Sequence, residues 1–187
     1  MAHSDTRLQQ KETSLAQWWR TFQQQRERGQ TQKIHIFVRS VSPTPGMHAY
    51  RNQLLDSIKK ASRREHIDTY ELTVLGDDIC LCDNCESNHT TDQLVELVEK
   101  LRTWRTGGMK ACGFTERTVE SSITDESYQT VTPPDITLGV FCDDSLAGVF
   151  PCQADGTVYR PGDFVDDLRE TDIDTSGKDQ RVSGIPR

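Results

Sequence analysis

The chain has little apolar material. Hydrophobic residues make up 34% of its 187 positions and aromatics 7%. No run of them is long enough to span a bilayer or to form the core of a secretory signal. A membrane protein is therefore not expected, and the cytoplasm is the expected compartment. Several chemistries are also missing. There is no Gly-x-Ser-x-Gly elbow, no His-Glu-x-x-His and no glycine-rich phosphate loop after a strand. These absences remove the common serine-hydrolase, zinc-protease and nucleotide-hydrolase readings. Asp143 with Asp144, and Asp166 with Asp167, read as solvated turn and helix surfaces rather than acid–base pairs. The expectation is a non-enzymatic protein.

Positive charge is in deficit as well. Lys and Arg total 22 against 29 Asp and Glu, a net charge of -7. Such a balance repels a phosphate backbone overall and argues against nucleic acid as a partner unless a local basic patch exists. Oligomeric state is not legible from composition. Six cysteines in a reducing compartment point to free thiols or metal ligands rather than structural disulfides.

What is present reads as one domain, 13–170, between polar tails at 1–12 and 171–187. Ser14 to Arg28 has the pattern of an amphipathic helix, with Leu15, Trp18, Trp19 and Phe22 on one stripe and Gly29 as its stop. Trp18 and Trp19 are candidates for a partner-binding anchor, because tryptophan is favoured at interfaces. The plainer reading of the same stripe is docking on the chain's own domain. Lys33 to Val41 is a strand with apolar residues on both faces, which suits a central position. The turn carrying Pro43, Pro45 and Gly46 leads into a helix over 47–64, and 70–75 is a second strand, completing a right-handed βαβ unit. Lys59, Lys60, Arg63 and Arg64 close that helix, where cations complement the helix dipole; phosphate binding is the secondary reading.

A helix from about Thr90 to Arg105 follows, then a hairpin over 114–132. Next come a proline step at Pro133 and Pro134, a strand over 136–141, a turn at Asp143 and Asp144, a second strand from Ser145 with Cys152 at its far end, and a closing helix. Between the second strand and the third helix lies GDDICLCDNCESNHTTDQ. Cys80, Cys82, Cys85 and His89 supply three sulfurs and an imidazole, the ligand types of a tetrahedral zinc site. The alternatives are a redox pair at Cys82 and Cys85, or a loop with incidental thiols. Cys142 and Cys152 lie too far apart along a hairpin for a disulfide, because a strand advances about 3.3 Å per residue.

The order βαβ, α, ββα over roughly 33–170 is similar to the thioredoxin-like superfamily. This resemblance implies an α/β fold with a cis-proline at Pro133 or Pro134 facing the loop after the first strand. The sequence departs from the redox members there: residues 40–46 contain no cysteine, so disulfide exchange is unsupported. The resemblance instead implies a mouth for a protein partner or small ligand, with Ser42, Thr44, Pro133 and Pro134 as its candidate residues. Separately, VRSVSP, ERTVESSITDESY and the Pro151–Cys152 pair resemble segments of a halophilic-archaeal family, some of whose members are described as helix-turn-helix domain proteins. That resemblance implies a DNA-associated regulator, although the residues show no pair of short helices joined by a tight turn.

Overall fold

The computed structural model describes residues 13–42, 44–81, 89–120 and 127–176, with the side chains of 89–92 and 171–176 outside the description. It is an α/β protein built on a four-stranded sheet. β1 (Gln32–Val38) lies parallel to β2 (Thr69–Val74) and antiparallel to β8 (Ile136–Cys142), and β8 pairs with β9 (Ser145–Phe150). The order across this sheet is β2-β1-β8-β9. The crossover between β1 and β2 is α2 (Met47–Arg63).

The β1 register sets the two layers. Ile34, Ile36 and Val38 stand opposite Val140, Leu138 and Ile136, and all six are buried. α1 (Ser14–Glu27) and α4 (Pro161–Ser176) cover this face. Trp18 of α1 lies edge-on to Phe150, 5.5 Å between centroids, and Phe164 of α4 stacks on Phe150 at 4.8 Å. α2 joins the same layer, since the Tyr50 hydroxyl accepts the Gly162 N–H at 3.1 Å. On the opposite face α3 (His89–Arg102) contributes Leu101. Gly139 lets that leucine and Phe37 approach the sheet: a Cβ there would lie 3.1 Å from the Phe37 ring and 3.5 Å from Leu101.

Two smaller sheets complete the chain. β3 (Ile79–Cys80), β7 (Ser127–Thr132) and β6 (Thr115–Glu120) form one, while β4 (Arg105–Thr106), β5 (Met109–Ala111), β10 (Cys152–Ala154) and β11 (Thr157–Tyr159) form the other. The second of these was not expected from the sequence. Its two hairpins turn at Gly107–Gly108 and Asp155–Gly156, all four residues at positive φ, the geometry of a two-residue type I′ turn. α4 also runs to Ser176, beyond the expected domain boundary at Glu170.

α1 is tied down at both ends. The Asp155 carboxylate accepts the Ser14 backbone N–H at 2.7 Å and the Ser14 hydroxyl at 3.0 Å. At the other end Arg26 donates through Nη2 to the Glu65 carbonyl at 2.8 Å. The N-cap is Thr13, whose hydroxyl accepts the Ala16 N–H at 3.3 Å. Asp143, at φ 52 in the β8–β9 turn, fixes the entry to β1 by accepting the Thr31 N–H and the Gln30 amide, both at 3.0 Å.

His35 occupies the α3 side of β1. Its ring stacks on Phe37 at 4.1 Å, and Nε2 lies 2.7 Å from the Thr73 hydroxyl. Burial holds its pKa below the ordinary 6.5, with Glu71 opposing that shift and Lys33 adding to it. The folded state therefore takes up this proton less readily than the unfolded state. The stability contributed by the neutral imidazole is full above pH 6.5 and is lost as pH falls through the lower, folded-state pKa. Urea midpoints measured from neutral pH into the acid range should fall on this limb, and His35→Gln should flatten it.

Candidate functional site

Three regions carry the residues singled out from the sequence. The first is the mouth between the β1–α2 loop and the start of β8. Arg39, immediately after β1, is ion-paired to Asp135 and lies 3.6 Å from Asp77. Its backbone N–H also donates to the Asp135 carbonyl at 3.1 Å. Arg51, one turn into α2, donates to the Ser40 and Val41 carbonyls at 2.9 and 2.7 Å, which fixes the loop's path. The Thr44 hydroxyl donates to Asp135 at 3.3 Å. Together Arg39, Ser42, Thr44, Arg51, Asp77 and Asp135 line much of a cleft of about 130 Å³.

Ser42 and Thr44 both line this cleft, whereas the prolines are placed otherwise. Pro133 is buried. Pro134 packs toward Gly113, where a side chain's Cβ would lie 3.1 Å from its ring. Neither lines the cleft. The cis peptide bond among the described residues joins Phe150 and Pro151, not a residue before β8. These are corrections to the expected mouth, which is made of arginines and carboxylates.

The tryptophans need a correction too. Trp18 is buried, stacks on Phe22 at 5.2 Å and donates its indole N–H to the Ala147 carbonyl at 2.8 Å. Trp19 stacks on Phe164 at 5.3 Å with 11° between planes. Both rings are consumed by α1's packing on its own domain. The apolar stripe of an amphipathic helix reads the same in either case, so the sequence could not decide between them.

The cysteine loop is described only in part. Cys80 sits in β3 opposite Thr130 of β7. Cys82 and Cys85 lie outside the described residues, and His89 begins α3 with its side chain likewise outside. Among the described residues no group of three or more His, Cys, Asp and Glu could hold a metal ion. Burial pushes the Cys142 thiol up to about 11, with Asp143 adding to it, and the Cys152 thiol up to about 12, with Cys112 adding to it. Thiolates are the reactive species. At pH 8 a disulfide reagent should therefore count at least two thiols fewer in native protein than the six of the sequence, and urea should restore them. Full reactivity without denaturant would mean these two sites open freely.

The third region is a basic face only partly recognised from the sequence. Residues 20–64 hold ten Lys and Arg against two carboxylates, Glu27 and Asp56, a net of +8 within a chain of -7. On α2 the pairs Lys59 with Arg63 and Lys60 with Arg64 form two i,i+4 ridges. Their residues are exposed, opposite the buried stripe of Leu54, Ile58 and Ala61. The Arg26 bond to Glu65 sets the end of α1, with Arg26 and Arg28, beside this helix end. Lys59 forms a long ion pair with Asp56 at 3.9 Å, and both side chains are exposed. A charge count in a sliding window would have revealed the basic face; the whole-chain balance concealed it.

The domain is α/β and carries a basic cluster at the ends of α1 and α2 within an acidic chain. The chain belongs to a helix-turn-helix domain family, whose family model matches residues 26–173. No curated protein and no solved structure matches the chain. The family match overturns the expectation that nucleic acid is not a partner, which rested on net charge and on the lack of two short helices joined by a tight turn. Among the described residues α1 and α2 are separated by β1, so these two helices are not joined by a tight turn. No helix among the described residues is long and apolar enough to cross a membrane.

Proposed function

We propose that the protein is a DNA-associated regulator that meets the phosphate backbone with the basic face at the ends of α1 and α2. The observation that carries this reading is the cluster of exposed Lys59, Lys60, Arg63 and Arg64 at the end of α2, beside Arg26 and Arg28 at the end of α1, in a chain of net -7. Family membership supports it. Lysine and arginine contacts to phosphate release counterions, so binding should weaken linearly on a log–log plot against salt. Fluorescence anisotropy of a labelled duplex across a potassium chloride series is the test. A negative slope is expected, and no binding even at the lowest salt would sink the reading.

The scaffold we infer is thioredoxin-like. The order β2-β1-β8-β9, with β8 antiparallel to its neighbours and helices on both faces, supports it. On such a scaffold the Arg39–Arg51 cleft offers a second reading, a site for a small polar ligand, favoured by the convergence of Ser42 and Thr44 with Asp135. Thermal-shift screening of polar metabolites would test it, with Thr44→Val expected to abolish any shift.

A further inference from the structure

The two edges of the central sheet are treated differently. The β9 edge is covered by α1, whose Trp18 indole takes up the Ala147 carbonyl. β2 ends the order on the other side, and its sequence TYELTV contains none of the lysines, prolines or glycine bulges that commonly blunt an edge. Tyr70, Leu72 and Val74 point to the α2 face and remain 39%, 49% and 42% exposed. Three of the five exposed large hydrophobics among the described residues therefore fall on one side of one strand.

We propose that two copies of this chain pair through β2, edge to edge and antiparallel, with Leu72 on the two-fold axis opposite the partner's Leu72. A closed two-fold requires antiparallel strands, and the same face must meet the same face. Few registers then remain, and charge chooses among them. With Leu72 at the centre, Tyr70 meets the partner's Val74 and Glu71 meets the partner's Thr73. The apolar stripes join, and no like charges face each other. A shift that set Tyr70 against Leu72 would place Glu71 against Glu71 and Val74 against Asp68, and directly opposed like charges destabilise a strand pair. A shift the other way would leave Tyr70 against Gly76. Glu71 is in addition held by Lys33 of its own chain at 2.8 Å, so the joined sheet carries no unpaired carboxylate at its centre. The result is a continuous eight-stranded sheet.

This pairing does not rest on the DNA reading. Sedimentation velocity on the full chain at about 100 µM should show a species of twice 21.2 kDa that dissociates on dilution. Leu72→Lys, which sets two ammonium groups against each other, should weaken association by about tenfold or more. Circular dichroism should show that this exposed substitution stays folded. Directly opposed strand residues have Cα atoms about 4.5–5.5 Å apart, within disulfide reach. Mild oxidation should thus cross-link Leu72→Cys beyond the wild-type background. Tyr70→Cys should give no such increase, because its copies stand about 13 Å apart along the strand. A species of 21.2 kDa at every concentration, without the Leu72→Cys cross-link, would overturn the proposal and indicate that the edge is covered by the chain itself. A dimer unaffected by Leu72→Lys would overturn it in favour of another surface.

Discussion

Trp18→Ala is expected to lower the free energy of unfolding by about 3–5 kcal/mol, the range for truncating a buried large aromatic. The indole is 8% exposed and sits at the centre of a ring cluster, stacked on Phe22 and edge-on to Phe150, Phe164 and Trp19. Alanine also leaves the Ala147 carbonyl without its 2.8 Å donor. The cavity cannot close readily, because the facing residue is Gly148, where even a Cβ would come within 2.7 Å of the indole. Urea unfolding followed by the remaining tryptophans checks it. A loss under about 1 kcal/mol would show that α1 contributes little to the fold, since surface substitutions lie in that range.

The second large effect is on binding. Reversing two charges together, Lys60→Glu with Arg63→Glu, should reduce affinity for duplex DNA by about a hundredfold at low salt and reduce the slope against log salt by about two. Both residues are exposed and lie on the last turn of α2. The reversal also opposes the helix dipole, which costs about 0.3–1 kcal/mol per charge, so a modest drop in melting temperature is expected alongside the binding loss. Arg117→Glu on β6 is the control. It is exposed but remote in sequence from the basic face, and should leave binding unchanged. Equal losses from both changes would mean that binding follows net charge and not this face.

Local periodicity revealed the elements that fill both central layers. The alternation in KIHIFV, the stripe through Leu54 and Ile58 and the run ITLGVF each contain their own signal. Sheet order is a different kind of information. β1 pairs with β8 roughly a hundred residues later, and no local pattern encodes that partner. The small sheet was missed because its strands are two or three residues long, although Asp155–Gly156 between apolar neighbours is a recognised hairpin signal. Gly107–Gly108 follows the third helix closely enough to read as its stop, and it also turns a hairpin. At the site, Ser42 and Thr44 were legible from their place after β1, while Arg39 and Arg51 were not. An arginine on a strand end or a helix face announces no partner until the tertiary fold supplies Asp135 or a loop carbonyl.

The fastening of α1 at both ends bears on how the protein opens. A helix held only by its apolar face can peel away by itself, and its amides then exchange with solvent through a low-energy local event. Here the Ser14–Asp155 contact binds its start to the β10–β11 hairpin, and the Arg26–Glu65 contact binds its finish to the end of α2. Detaching the helix disturbs two separate parts of the domain at once. Its central amides are therefore set to exchange together with the sheet, as part of a single cooperative unit.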